Sequence, residues 1–397
     1  MNHLSTRIND LKESATIAMA RLSRELQEQG HDIISLSLGE PDFVTPDNIC
    51  DAAKKAIDDG FTFYTPIAGF RDFRIAISEK FKRENNLDFS PDQIIVSTGA
   101  KQSIANVVLS LINPGDEVIV PAPYWVSYSQ IIKLAGGIPI YITTSVDNDF
   151  KPFPEQIKAA ITSKTKLFIF SSPCNPTGSI FSKEELKNIA DVIHPHPQIF
   201  ILSDEIYEHI RFEAAHESIA QFDFIKERVI IVNGVSKGYA MTGWRIGYIG
   251  ASLEIAKACD KMQGQFTSGA CSIAQKAALE AVSSEWDQYD FMRESFLRRR
   301  DLVLGLMKDI PGIKYNIPKG AFYVFPDVSS YFGKSNEEDK INNATDLCMY
   351  LLKDAKVSIV TGEAFGDNNC VRLSYATSDE LLIESMKRIK ESLAKLK

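Results

Sequence analysis

The feature that most restricts the fold is a series of short apolar runs rich in Ile and Val, separated by stretches of helical periodicity. The runs are "QIIVS" (Gln93 to Ser97), "DEVIVPAP" (Asp116 to Pro123), "KLFIFSSP" (Lys166 to Pro173), "IFILSDE" (Ile199 to Glu205) and "RVIIVNG" (Arg228 to Gly234). They are continuous rather than alternating, so each reads as a strand buried on both faces. Strands of that kind, separated by helices, make a parallel or mostly parallel sheet covered on both sides. After the first run, Ile104, Val107, Val108 and Leu111 keep the 3.6-residue period. Ser182 and Glu185 form an S-x-x-E capping box that opens a helix between two of the strands.

Past residue 290 the pattern changes. A charged helix, "RESFLRRRDLVLGLM", is followed by the strand-like "GAFYVFP", another helix and "CVRLSYA". The chain ends in a helix opened by Thr377-x-x-Glu380, with Leu382, Met386, Ile389, Leu393 and Leu396 on one face. At 397 residues the chain suits a large domain with a smaller satellite. The expectation is an α/β fold: a large domain over 45–290 and a smaller α+β domain from 1–44 and 291–397, the N-terminal helix before Gly39 packing with the latter.

The net charge of −8 and the lack of a basic stripe argue against a nucleic-acid surface. Arg298, Arg299 and Arg300 read as a solvated helix face. No apolar run reaches the roughly 18 residues of a membrane span, and "MNHLSTRINDLKES" lacks a signal-peptide core. No membrane partner and a cytoplasmic location are expected. The six cysteines are scattered without CxxC spacing and read as reduced and mostly buried, and no histidine pattern suggests a metal site.

In a sheet of this type, ligands lie beyond the carboxyl ends of the strands. Reading those ends in order gives Gly99, Ala100 and Lys101; Tyr124 and Trp125; Asn175; Asp204 and Tyr207; then Ser236 and Lys237. A pyridine aldehyde cofactor needs such a set. Its aldehyde needs a desolvated lysine for a Schiff base. Its ring nitrogen needs a buried carboxylate to stay protonated. Its phosphate needs an arginine and the free amides of a helix N-terminus. Lys237, Asp204, Arg245 and the Gly99–Lys101 turn match in that order.

Eight blocks carry a family resemblance: "SLGEPDF", "YTPIAGFRDFR", "STGAKQSI", "PAPYWVSY", "SSPCNPTG", "LSDEIYEHI", "GVSKGYAMTGWRIGY" and "VRLSYA". In this order they resemble the class I aminotransferases, fold type I enzymes dependent on pyridoxal 5′-phosphate, and the likeness runs from about Ser14 to Arg388. It implies a seven-stranded sheet in the large domain and a homodimer with shared active sites, acting on amino acids and 2-oxo acids. It implies that Lys237 holds the cofactor and moves the substrate proton, that Asp204 pairs with the ring nitrogen, and that Tyr207 and Asn175 bond the phenolic oxygen. Trp125 would stack on the ring. Ser236, Arg245 and the amides of Ala100 and Lys101 would hold the phosphate, with Tyr64 reaching across from a second subunit. Arg372, placed just after the last strand-like run, would clamp the substrate α-carboxylate, beside a backbone group of Gly39.

The bacterial-type aspartate aminotransferases of subgroup Iβ look most similar. In them the lysine matching Lys101 meets a distal carboxylate, and the segment matching Ser14 and Thr16 closes over it. Aspartate to 2-oxoglutarate transfer is therefore expected, with prephenate, aromatic or alanine transamination as the alternative. One departure from the family pattern is Phe73, where leucine is usual. Each residue also has a plain structural reading: Asp204 as a helix N-cap, Tyr124 and Trp125 as core aromatics, Arg372 as a surface strand residue, Tyr64 as a turn residue ahead of Pro66. Their coincidence at successive strand ends favours a site. Two readings from other classes, a cofactor-binding regulatory module and a binding protein that merely keeps the fold, rank lower. The first lacks a winged-helix segment and a basic face, and the second is disfavoured by the intact lysine, aspartate and arginine.

Overall fold

The structure is a computed structural model describing residues 3–213 and 215–397. An N-terminal strand, β1 (Ile34–Ser35), precedes seven strands of one sheet: β2 (Ile94–Ser97), β3 (Glu117–Ala122), β4 (Ile138–Thr143), β5 (Thr165–Ser171), β6 (Phe200–Asp204), β7 (Val229–Gly234) and β8 (Gly247–Gly250). Four short strands follow, β9 (Tyr323–Val324), β10 (Val357–Ser358), β11 (Val360–Thr361) and β12 (Val371–Ser374). The main sheet has the order β2-β8-β7-β6-β5-β3-β4. All its pairings are parallel except the two made by β8.

Consecutive residues of the central strands enter different cores. Ile94, Val96, Ile119, Phe168, Ile201 and Ile231 face one apolar cluster, packed under the helices Asp47–Asp58, Arg71–Asn85, Lys183–Ile193 and Ser272–Ser283. Ile95, Val118, Leu167, Leu202 and Ile230 face the other, under Ala100–Leu111, Ser127–Leu134 and Leu253–Phe266. A strand whose two faces are both covered has no polar face to display, which is why these runs are continuously apolar. Phe73 is fully buried in the first cluster. A third cluster joins the helices Asp290–Met307, Ala344–Asp354 and Asp379–Leu393 to β9, β10 and β12. The helix Ala15–Glu28 packs against β10 and β11.

The Ser182 capping box forms as read: Ser182 Oγ accepts from the Glu185 amide at 3.2 Å, and Glu185 Oε2 accepts from the Ser182 amide at 2.7 Å. Three readings need correction. The last helix is capped by Ser378, whose Oγ accepts from the Leu381 amide at 3.3 Å; it begins at Asp379, one residue later than a Thr377 cap requires. The triple arginine is not one solvated face, because successive helical residues point about 100° apart. Arg299 is buried and donates to both carboxylate oxygens of Asp42, at 2.7 and 2.9 Å, while Arg300 lies over the Phe212 ring and donates to Pro318 O. Only Arg298 of the three is exposed, paired with Asp379. The cysteines are all free, in keeping with a reduced state, but they are not mostly buried: Cys259, Cys348 and Cys370 are buried, Cys50 and Cys174 half-buried, and Cys271 exposed.

Behind β6 a buried ion network ties the helix Arg71–Asn85 to the segment following that strand. Lys80, wholly buried, donates to Glu208 and to Asn85 Oδ1, and Asn85 Nδ2 donates to Glu208 Oε2 at 2.7 Å. Burial alone raises the Glu208 carboxyl, yet the Lys80 charge, with His209 and His216 acting the same way, holds it well below the usual carboxylate range. Removing one partner of such a pair strands the other. Lys80→Met should therefore lower stability by about 3–5 kcal/mol, read as a fall in the denaturant midpoint, and adding Glu208→Gln should recover part of the loss.

Candidate active site

The carboxyl ends of the strands deliver the chosen side chains to one cavity of about 260 Å³. It is lined by Ser14, Thr16, Gly39, Ala100, Lys101, Trp125, Asn175, Asp204, Tyr207, Ser236, Lys237, Arg245 and Arg372. Three sequence-selected residues stand outside this lining: Tyr124, which stacks on Tyr141 with ring centres 5.1 Å apart, Gly99 and Tyr64. Gly99 lies behind the Arg245 guanidinium, and Tyr64 is 99% exposed on a loop whose Phe63 is 84% exposed.

Lys237 follows β7 and is half-buried, its Nζ donating to Gly39 O at 2.6 Å and lying 5.8 Å from the centre of the Tyr207 ring. Burial lowers its pKa to about 8; Arg372 and Arg245 act the same way, while Glu40 and Asp204 oppose. Asp204 ends β6, is 5% exposed, and accepts from Tyr128 Oη at 2.6 Å and more weakly from the Ile206 amide at 3.3 Å. Burial raises its carboxyl to about 6 against those two hydrogen bonds. The cavity thus brings an amine and a carboxylic acid towards neutrality from opposite sides, a mark of a working site.

Helix Ala100–Leu111 begins at the end of β2, so its first amides have no partner within the helix. Gly99 has φ +81°, and a Cβ there would run into the Arg245 guanidinium. The missing side chain is what lets that cation approach the helix N-terminus. Arg245 itself adopts φ +58° and donates to Thr242 O at 2.9 Å. Lys101, in the first helical turn, has its Nζ 5.2 Å from the centre of a Trp125 ring, and burial followed by Arg245 lowers its pKa.

Arg372 lies inside β12 rather than just after it, and it is 2% exposed rather than on the surface. Its guanidinium donates to Ser37 O at 2.6 Å and Asn175 Oδ1 at 3.0 Å, and sits 4.5 Å from the centre of the Tyr323 ring. Its Nε is buried without a hydrogen-bond partner among the described residues. Asn175 is therefore turned towards the arginine here. Tyr207 Oη is 2.7 Å from Tyr323 Oη. Ser14 precedes helix Ala15–Glu28, but its side chain makes no capping bond and lines the cavity.

Sequence reading missed Tyr128, Tyr323 and Thr242, which also line the cavity. Tyr128 meets Trp125 edge to face with ring centres 5.4 Å apart, but Trp125 precedes the helix Ser127–Leu134, so helical spacing does not link the two. Tyr323 sits in the aromatic run "GAFYVFP", where nothing separates it from its core neighbours.

Comparison with known proteins shows the family. Residues 31–389 match the family described as aminotransferase class I and II. The aspartate/prephenate aminotransferase of Cereibacter sphaeroides is 46% identical over 406 residues, covering 100% of both chains. The bifunctional aspartate aminotransferase and glutamate/aspartate-prephenate aminotransferase of Petunia hybrida is 46% identical over 399 residues, covering 99% of this chain and 83% of that protein. Among solved structures, the aspartate aminotransferase from Rhizobium meliloti superposes with a TM-score of 0.96 at 40% identity over 100% of both chains. The aspartate aminotransferase from Thermus thermophilus with maleate gives 0.93 at 40% identity, over 99% of this chain and 100% of that one. With a match across most of its length and a mostly parallel sheet whose strand ends meet at Lys237 and Asp204, the chain belongs to the class I and II aminotransferases.

Proposed function

We propose that this aminotransferase moves the amino group of L-aspartate to 2-oxoglutarate, giving oxaloacetate and L-glutamate, with pyridoxal 5′-phosphate attached at Lys237. The observation that carries the substrate reading is the pair of cations in the cavity, Arg372 and Lys101. Neither has a carboxylate partner among the described residues. A buried guanidinium is costly unless an anion meets it. An amino acid with two carboxylates supplies both. Maleate, present with the Thermus thermophilus relative, is a dicarboxylate of similar reach. Prephenate, named for the Petunia and Cereibacter relatives, is also a dicarboxylate and forms the second reading.

The family uses pyridoxal 5′-phosphate, and the donor set suits it. Lys237 offers an amine of lowered pKa and Asp204 a buried carboxylate. Arg245, Ser236 and the Gly99–Lys101 turn offer a cradle for a phosphate. When bound, the cofactor supplies an aldehyde for the substrate amine and a cationic ring that withdraws electrons from the α-carbon. Arg372 receives the α-carboxylate in a forked pair of hydrogen bonds, with Asn175 beside it. Lys101 receives the distal carboxylate, and Ser14 and Thr16 close that end against water. Lys237 takes the proton from the α-carbon; a pKa near 8 leaves a useful share of neutral amine at neutral pH. Asp204, ionised above about pH 6, favours a protonated ring nitrogen, and the Tyr128 hydroxyl steadies its charge.

We also propose a homodimer, in which the exposed Tyr64 reaches the phosphate site of a second copy. The apolar character of its loop supports this, since Phe63 and Tyr64 are otherwise left in water.

The assignment is tested by single-turnover absorbance of the cofactor-loaded protein with L-aspartate, L-alanine, L-phenylalanine or L-arogenate. Aspartate should react fastest. Lys101→Ala should cut kcat/KM for aspartate by roughly 10- to 100-fold, one charge-assisted bond, with little change for alanine. Equal losses on both donors would remove the dicarboxylate reading.

Lys237→Ala should abolish turnover, and Asp204→Asn should slow it by several orders of magnitude. Steady-state rates with aspartate and 2-oxoglutarate check both. Near-normal turnover without Lys237 is incompatible with the proposal.

Tyr128→Phe removes a hydrogen bond that favours ionised Asp204. Its pKa then rises further above the ordinary value, so the acid limb of kcat moves to higher pH. The loss should be greater at pH 6 than at pH 8, and a parallel drop at both would assign Tyr128 to packing alone.

A further inference from the structure

The loop Gly39–Thr45 meets Lys237 through the Gly39 carbonyl and is fastened along its length. Asp42 accepts both hydrogen bonds of the buried Arg299. Thr45 Oγ1 donates to Ala240 O at 2.7 Å and accepts from Trp244 Nε1 at 2.9 Å. Gly39 O receives the Lys237 ammonium at 2.6 Å. Between these anchors Glu40, itself exposed, accepts a hydrogen bond from Thr242 Oγ1. Thr242 lines the cavity, and its carbonyl receives Arg245. One loop is therefore stitched to the segment Lys237–Arg245, and Glu40 is the charged stitch.

We propose that Glu40, clasped by Thr242, is a positioning residue for Lys237: it holds the loop that presents the Gly39 carbonyl to the amine, and it sets a negative charge beside a cation-rich cavity. This rests on Lys237 being the cofactor-bearing amine. The charges facing Lys237 are Arg372 and Arg245, which disfavour its ammonium, and Glu40 and Asp204, which favour it. Asp204 is committed elsewhere, to Tyr128 and the Ile206 amide. Glu40 is thus the carboxylate whose loss shifts the balance at Lys237. An exposed carboxylate held by one hydroxyl contributes little to stability, so its removal leaves the fold intact.

The test uses apoprotein incubated with pyridoxal, which lacks the phosphate, and borohydride over a range of pH. Peptide mass spectrometry reads the modification of Lys237, whose neutral form is the reactive one, so labelling rises as pH passes its midpoint. Glu40→Gln should move that midpoint down by about half a unit or more. Thr242→Val should move it in the same direction, because the carboxylate is no longer held, and Thr242→Ser should restore it. Identical midpoints in the parent protein and Glu40→Gln overturn the inference. A parent protein that labels at other lysines and never at Lys237 overturns the functional reading and this inference with it, so the two failures are distinct.

Discussion

The guanidinium of Arg372 is the point on which the two parts of the molecule meet. It belongs to β12 of the smaller sheet, yet its hydrogen bonds go to Ser37 on the N-terminal segment and Asn175 at the end of β5. Its faces are covered by Tyr323 and Phe365. Burying that charge costs several kcal/mol, which two neutral acceptors and two ring faces offset only in part. The remainder is left for an anion. The same contacts tie β12 to the N-terminal segment and to the loop that follows β5.

The main sheet supplies the other half of the arrangement. Because β5, β6 and β7 are parallel neighbours, their carboxyl ends lie side by side and place Asn175, Asp204 and Lys237 within one cavity. Each of these groups would be solvated in a surface loop. Here burial raises the acid and lowers the amine, and the opposing neighbours are few enough that neither returns to its ordinary value. The chemistry follows from strand order more than from any single residue.

That order explains how much could be read from the chain alone. The runs at β2, β3, β5, β6 and β7 are legible because both faces are buried and the apolar signal is unbroken. Strand β4 escaped notice because it is a sheet edge with mixed exposure, and β8 because glycines bound its Tyr-Ile pair. Residues at strand ends were legible too, since topology alone puts them on one rim. The partners that tune them were not. Tyr128 meets Asp204 across 76 residues, and Arg299 meets Asp42 across 257, and no local period records such contacts. The same limit hid Arg299 within a triple arginine that reads as a solvated face.

The segment Asp204–Glu208 shows how the Asp204 side chain is kept in place by groups outside the cavity. Asp204 and Tyr207, three residues apart, face the cavity. Glu205 and Glu208, also three apart, face inward. Glu205 accepts from Ser203 and Ser218 and pairs with His216, while Glu208 is held by Lys80 and Asn85. Hydrophobic packing could fill the same space at lower desolvation cost. What the ionic network adds is direction, because a carboxylate with fixed donors on its oxygens tolerates little rotation of its backbone. Any turn of this segment that moved Asp204 away from Tyr128 would also break Glu205 or Glu208 from donors that have no solvent to replace them. The position of the Asp204 carboxylate is thereby set by groups outside the cavity.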